Sequence, residues 1–118
     1  MGLFGKKNKN RDPNTKNDAF LNVSVSNEGA EYTFTVEGRL DTNTSPELEA
    51  KINEVIGDAN KLIIDLAKLE YISSAGLRVL LGAAQVMDDK GEMVVRNVTT
   101  AVREIFDLTG FNHVFNIE

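Results

Sequence analysis

The stretch LIIDLAKLEYISSAGLRVLL, Leu62 to Leu81, decides how this chain folds. With Lys61 it opens as KLIIDL, a short and almost continuous apolar run. That is the pattern of a strand buried on both faces of a sheet. It closes on apolar residues at helical spacing: Leu77, Leu80, Leu81 and Ala84, with Val86 or Met87 extending the stripe. Between the two runs stand Ser73, Ser74 and Gly76. The pattern predicts a strand, a loop and a helix beginning near Ala75, with both hydroxyls at its amino end.

Upstream, FLNVSVS (20–26) alternates, with Leu21, Val23 and Val25 on one face. NEGAE supplies a turn, and YTFTVEG aligns Tyr32, Phe34 and Val36, so the two runs form a hairpin. A helix follows, with Ser45 as its N-cap, Pro46 in its first turn and Glu47 and Glu49 at its positive end. Its inward stripe is Leu48, Ile52, Val55 and Ile56, and Gly57 or Asn60 ends it. Downstream, DDKG closes the central helix, with Gly91 suited to a left-handed C-terminal position. EMVVRN is a strand. TTAVREIFDLTG is a helix with Val102, Ile105, Phe106 and Leu108 inward and Gly110 at its end, and HVFNI is a last short strand. The order β-β-α-β-α-β-α-β implies an α/β fold. Its sheet is five-stranded, mixed and mostly parallel, and right-handed crossovers between sequential neighbours place the helices mainly on one face.

Composition bounds the function. The 118 residues suffice for one domain, and 42% apolar with 26% charged residues is an ordinary globular balance. Without cysteine there is no disulfide or thiolate metal site, which fits a reducing, cytoplasmic setting. No apolar run reaches the roughly 18 residues of a membrane span, MGLFGKKNKNRD lacks a secretory apolar stretch, and Lys6 breaks the myristoylation pattern. The net charge of −5 is uneven: residues 1–18 carry Lys6, Lys7, Lys9, Arg11 and Lys16 against Asp12 and Asp18, a local +3, which leaves −8 on the rest. An acidic domain disfavours nucleic acid. Residues 1–18 read as a disordered basic tail ahead of a domain over 19–118. The tail is either a solubilising leader or a weak membrane-surface contact through Leu3, Phe4 and the lysines.

Enzyme chemistry finds little support. SSAG is not the G-x-S-x-G elbow, and neither serine is followed three residues on by lysine. There is no phosphate loop and no G-x-G-x-x-G fingerprint. Asp65 at a strand end could suggest a phosphoacceptor aspartate, but the acidic pair and late lysine that such a site needs are missing. A hydrolase would have to combine Ser73 or Ser74 with His113, the only histidine, far along the chain. No carboxylate cluster defines a metal site, and no cofactor is implied. The serines read better as recipients of chemistry than as its agents. One of them caps the helix, or one accepts a phosphate there, where free N–H groups and the helix dipole favour added negative charge.

From about Phe20 to Glu118 the chain resembles the STAS-domain family, in particular the bacterial anti-sigma factor antagonists. Three stretches carry the resemblance: GRLDTNTSPEL, LIIDLAKLEYISSAGLRVLL and GEMVVRNVTTAVREIFDLTGFNHVFNIE. It implies a protein that is not an enzyme but binds an anti-sigma factor serine kinase and so frees a sigma factor. Phosphorylation of a serine at a helix start releases it, and a serine phosphatase restores it. Aligning Gly76 with the family's glycine puts the acceptor at Ser74, with Ser73 competing where family members often carry Asp. Arg78 stands where a second glycine is frequent. The implied binding face is Arg39, Leu40, Asp41, Thr42, Asn43 and Thr44, together with Ser74, Ala75, Gly76 and Arg78. Asp41 reads equally as a partner contact and as a turn residue aided by Asn43 and Thr44. The alternative is a STAS scaffold in another signalling or transport assembly, not switched through Ser74.

Overall fold

Alternation and a tight turn build the first hairpin. In the computed structural model, which describes residues 20–118, strands β1 (Leu21–Glu28) and β2 (Glu31–Leu40) pair antiparallel with Glu28 opposite Glu31. Gly29 turns the chain at φ 60°, and the Asn27 side-chain amide donates to its carbonyl at 3.0 Å. Phe34 and Val36 are fully buried, Leu21 and Val23 half-buried, and Val25, near the hairpin tip, is exposed rather than inward. The basic tail anticipated over 1–18 lies outside the described residues.

The remaining elements are α1 (Ser45–Val55), a 3₁₀ turn (Ile56–Asp58), β3 (Lys61–Ile72), α2 (Ser74–Asp88), β4 (Glu92–Arg96), α3 (Thr100–Thr109), a second 3₁₀ turn (Phe111–His113) and β5 (Asn116–Ile117). The sheet order is sequential, β1-β2-β3-β4-β5, and every pair after the hairpin is parallel. One face of β2, β3 and β4 forms a single core with Leu48 and Ile52 of α1, Leu77, Leu80 and Met87 of α2, and Val102 and Phe106 of α3. Ile63 and Val94 are also buried, outside that cluster, as alternation along the strands requires. The KLIIDL run is therefore buried on both sides.

Several local readings change. Strand β3 does not stop at Leu66 but continues to Ile72. Two register shifts against β2, between Thr35 and Glu37 and between Gly38 and Arg39, each place an extra β3 residue in the ladder. Burial along β3 accordingly changes period, from Leu62, Ile64 and Leu66 to Leu69 and Ile72. Asp65 holds the first irregularity: one carboxylate oxygen accepts from the Ala67 N–H at 3.0 Å and the other from the Asn97 amide at 3.1 Å. The N-cap of α1 is Thr44, not Ser45, which is already helical and buried. Along α2, Ala83 and Met87 are buried, Leu81 and Ala84 flank the stripe and Val86 is exposed.

Gly91 is not left-handed; a methyl group there would lie 2.0 Å from the Asn60 carbonyl oxygen, so close chain approach is what demands glycine. The Lys90 and Gly91 N–H groups close α2 on the Met87 carbonyl, at 3.0 and 2.7 Å, and the Lys90 side chain donates to the Ile56 and Gly57 carbonyls in the turn after α1. Gly110 does end α3 at φ 82°. Leu108, read as inward, is 87% exposed, because it lies about 200° around the helix from Phe106. The last strand shrinks to Asn116–Ile117 because Phe111–His113 form a turn. That turn is pinned by tilted aromatic contacts: Phe115 lies 5.5 Å from both Phe106 and Phe111, ring centre to ring centre.

Candidate functional site

The register of β2 and β3 creates the site. Leu40 and Ile72 are the last paired residues of two parallel strands, so the chain leaves both at the same end of the sheet. The Ser73 N–H donates to the Leu40 carbonyl at 2.8 Å, holding the two exits side by side. Ser73 is extended (φ −97°, ψ 177°), and its Oγ accepts from the Gly76 N–H at 3.4 Å, a long N-cap bond. Its carbonyl accepts from Leu77 at 2.9 Å. Ser74 is the first helical residue and is exposed, and no hydrogen bond among the described residues engages its Oγ. The two serines therefore differ: one hydroxyl is part of the helix start and the other stands on it.

The facing loop is ordered by Asp41. Its Oδ1 accepts from the backbone N–H groups of Asn43 at 2.9 Å and Thr44 at 3.1 Å. The Thr44 hydroxyl donates to the Arg39 carbonyl at 2.8 Å and accepts from the Asp41 N–H at 2.9 Å. Ser45 donates through both its N–H and its hydroxyl to the Asp41 carbonyl. Buried Thr44 and Ser45 are thus satisfied, as buried hydroxyls must be. The turn role anticipated for Asp41 is directly visible.

Of the residues anticipated for the binding face, Thr42, Asn43, Ser74 and Arg78 are exposed, and Arg39, Asp41 and Ala75 are half-buried. Leu40, Thr44 and Gly76 are buried and support the surface from beneath. A Cβ on Gly76 would meet Ile72 Cγ1 and Leu40 Cγ at 2.8 Å, so the close approach this glycine allows is to the strands. Arg39 lies over the Tyr71 ring, 4.5 Å from its centre.

Two grooves flank the α2 amino end. One, of about 170 Å³, runs toward α1 and is lined by Thr42, Ser45, Pro46, Glu49, Ala75, Arg78 and Val79. The other, of about 220 Å³, is more apolar and runs toward the end of α3, between Ser74, Leu77, Arg78 and Leu81 on one side and Thr109 and Phe111 on the other. Sequence reading did not bring Glu49, Leu81, Thr109 or Phe111 to this site. The available signal was the aromatic directly after Thr109-Gly110, where a left-handed glycine turns the chain. The groove beside Ser74 is lined by Thr109 and Phe111, and His113 is not among its lining residues. Asp65 spends both oxygens on backbone and amide donors. Among the described residues no helix is long and apolar enough to cross a membrane.

These features define a class: an α/β domain whose distinctive surface is a helix start and its neighbouring loop. A family model for the STAS domain matches residues 23–118, and the chain belongs to that family. It is 37% identical over 84 residues to BtrV of Bordetella bronchiseptica, whose name marks it as a candidate anti-sigma factor antagonist; the match covers 70% of this chain and 72% of that one. It is 26% identical over 98 residues to the anti-sigma-F factor antagonist RsfB of Mycobacterium tuberculosis, covering 82% and 80% of the two chains. The crystal structure of an anti-sigma factor antagonist from Mycobacterium paratuberculosis superposes with a TM-score of 0.76 at 27% identity, over 83% of this chain and 85% of the other.

Proposed function

We propose that this domain is an anti-sigma factor antagonist switched by phosphorylation at Ser74. It binds an anti-sigma factor that is also a serine kinase, and the sigma factor is freed. The bound kinase then transfers the γ-phosphoryl group of Mg²⁺-ATP to Ser74. The serine Oγ–P bond forms, the bond from phosphorus to the ADP oxygen breaks, and the hydroxyl proton passes to a base of the kinase. Nucleotide and metal belong to the kinase. A serine phosphatase hydrolyses the ester and resets the domain.

The observation that carries this reading is the division of labour at the helix start. Ser73 caps through its Oγ, while exposed Ser74 has no described hydrogen bond to lose. A phosphate there brings about −1.5 to −2 charges to the helix's positive end, which tolerates them, so the fold survives while the docking face changes. The names of the relatives point the same way.

The test uses serine kinases encoded with this chain. Phosphate mapped by mass spectrometry is expected on Ser74 and lost in Ser74→Ala. Ser74→Asp should weaken kinase binding about tenfold or more with an unchanged circular dichroism spectrum. If Ser74→Asp binds as tightly as wild type, the switch is wrong; stable partner binding without any label on Ser74 would favour a scaffold.

A further inference from the structure

We infer that Arg78 is the counter-ion of phosphorylated Ser74, a positioning residue that the modification withdraws from the docking face. This rests on the switch proposed above and extends it to a residue the family pattern does not supply. Ser74 and Arg78 are four residues apart on α2, both are exposed, and both line the groove toward α3. Four residues advance a helix about 6 Å and a little over one turn, and long side chains lean toward the helix amino end. That tendency brings the Arg78 guanidinium within reach of a group on Ser74. Its guanidinium offers the forked donors that match phosphate oxygens. Among the described residues Arg78 is in neither of the ion pairs, Lys61–Glu92 and Arg96–Glu118.

Arg78 also lines the groove toward α1, where the only other charged lining residue is Glu49. Before modification that groove presents one cation and one anion. Drawn onto the phosphate, Arg78 leaves Glu49 uncompensated. The switch thus does more than add a dianion at Ser74: it neutralises the one cation that both grooves share. A partner that uses an acidic group to meet Arg78 loses that contact even where it does not touch Ser74.

The experiment installs phosphoserine at position 74 by genetic code expansion, so no kinase is needed, and follows the ³¹P resonance through a pH titration. A nearby cation favours the dianion and lowers the phosphate's second ionisation. Arg78→Gln is therefore expected to raise the midpoint by about 0.3 pH unit relative to the otherwise unchanged phosphoprotein. Arg78→Lys should recover part of the difference, and Arg103→Gln, an exposed cation on α3, should leave the midpoint where it was. The difference should shrink near 1 M salt, where screening acts over about 3 Å. Equal midpoints with and without Arg78, at low salt, overturn the inference. If no kinase labels Ser74 yet the midpoint still follows Arg78, the switch fails and the pairing stands. A labelled Ser74 whose phosphate ignores Arg78 has the opposite meaning.

Discussion

Two glycines of α2 should respond in opposite directions to the same methyl group. At Gly76 an added Cβ would lie 2.8 Å from Ile72 Cγ1 and Leu40 Cγ and 2.9 Å from Leu40 Cδ2. Carbon atoms pack at about 3.5–4.0 Å. Leu40 and Ile72 are 0% and 1% exposed, so neither can swing into solvent to make room. Overpacking of this kind costs about 1–3 kcal/mol, and the helix propensity gained by replacing glycine with alanine returns at most about 1 kcal/mol. Gly76→Ala should therefore lose about 1–2 kcal/mol. For a domain of this size that is a fall in Tm of roughly 5–10 °C. Gly82 lies in the same helix, is exposed, and has nothing within 4 Å of an added Cβ. Gly82→Ala gains propensity without a clash and should stabilise by about 0.5–1 kcal/mol. Urea unfolding followed by far-UV circular dichroism, with the slopes compared to confirm two-state behaviour, measures both. If Gly76→Ala is as stable as wild type while Gly82→Ala gains, the close packing of the α2 start on β2 and β3 is wrong.

Two further pairs of substitutions check the site and the core by the same assay. Ser73→Ala removes the N-cap and should cost about 0.5–1 kcal/mol, at the low end because the bond is long, whereas Ser74→Ala should stay within about 0.5 kcal/mol of wild type; the reverse ranking would make Ser74 the cap. Leu108→Gln should be neutral within about 0.5 kcal/mol because the side chain is 87% exposed, against a loss of about 3–5 kcal/mol for fully buried Phe106→Ala; a comparable loss at Leu108 would return it to the core.

Element order and sheet type were legible because apolar period and turn residues agree along most of the chain. The hairpin, the mostly parallel sheet and the inward residues Val102 and Phe106 follow from pattern alone. Strand β3 was truncated in the sequence reading for a physical reason: its register shifts against β2 change the burial spacing from two to three after Leu66, which breaks the period-two pattern of a strand. Leu108 was misplaced because it sits in the last turn of α3, where a hydrophobic residue need not face the core. At the site, adjacent sequence segments revealed the loop and the serines. The groove toward α3 was hidden because Phe111 reaches it only through the left-handed turn at Gly110 and the aromatic contacts of Phe115, a long-range arrangement without a local pattern. Leu40, Thr44 and Gly76 belong to the same stretches as the exposed residues, but alternation and buried hydrogen bonds turn them inward.

If Ser74 is the phosphoacceptor proposed above, the doubled serine lets a modifiable surface sit on a fixed framework. If a single hydroxyl both capped α2 and accepted phosphate, each modification would trade the cap bond to Gly76 for a new group whose geometry the loop had not evolved to hold. Local structure and surface charge would then change together, and the domain would risk loosening where β2, β3 and α2 meet. With Ser73 bonded to Gly76 and tied by its N–H to Leu40, and with Asp41 and Thr44 bracing the opposite loop, the framework is complete without the Ser74 hydroxyl. Under the switch proposed above, a phosphate on Ser74 would be read by a partner as charge, and through Arg78 as the loss of a cation, while the core beneath keeps one arrangement.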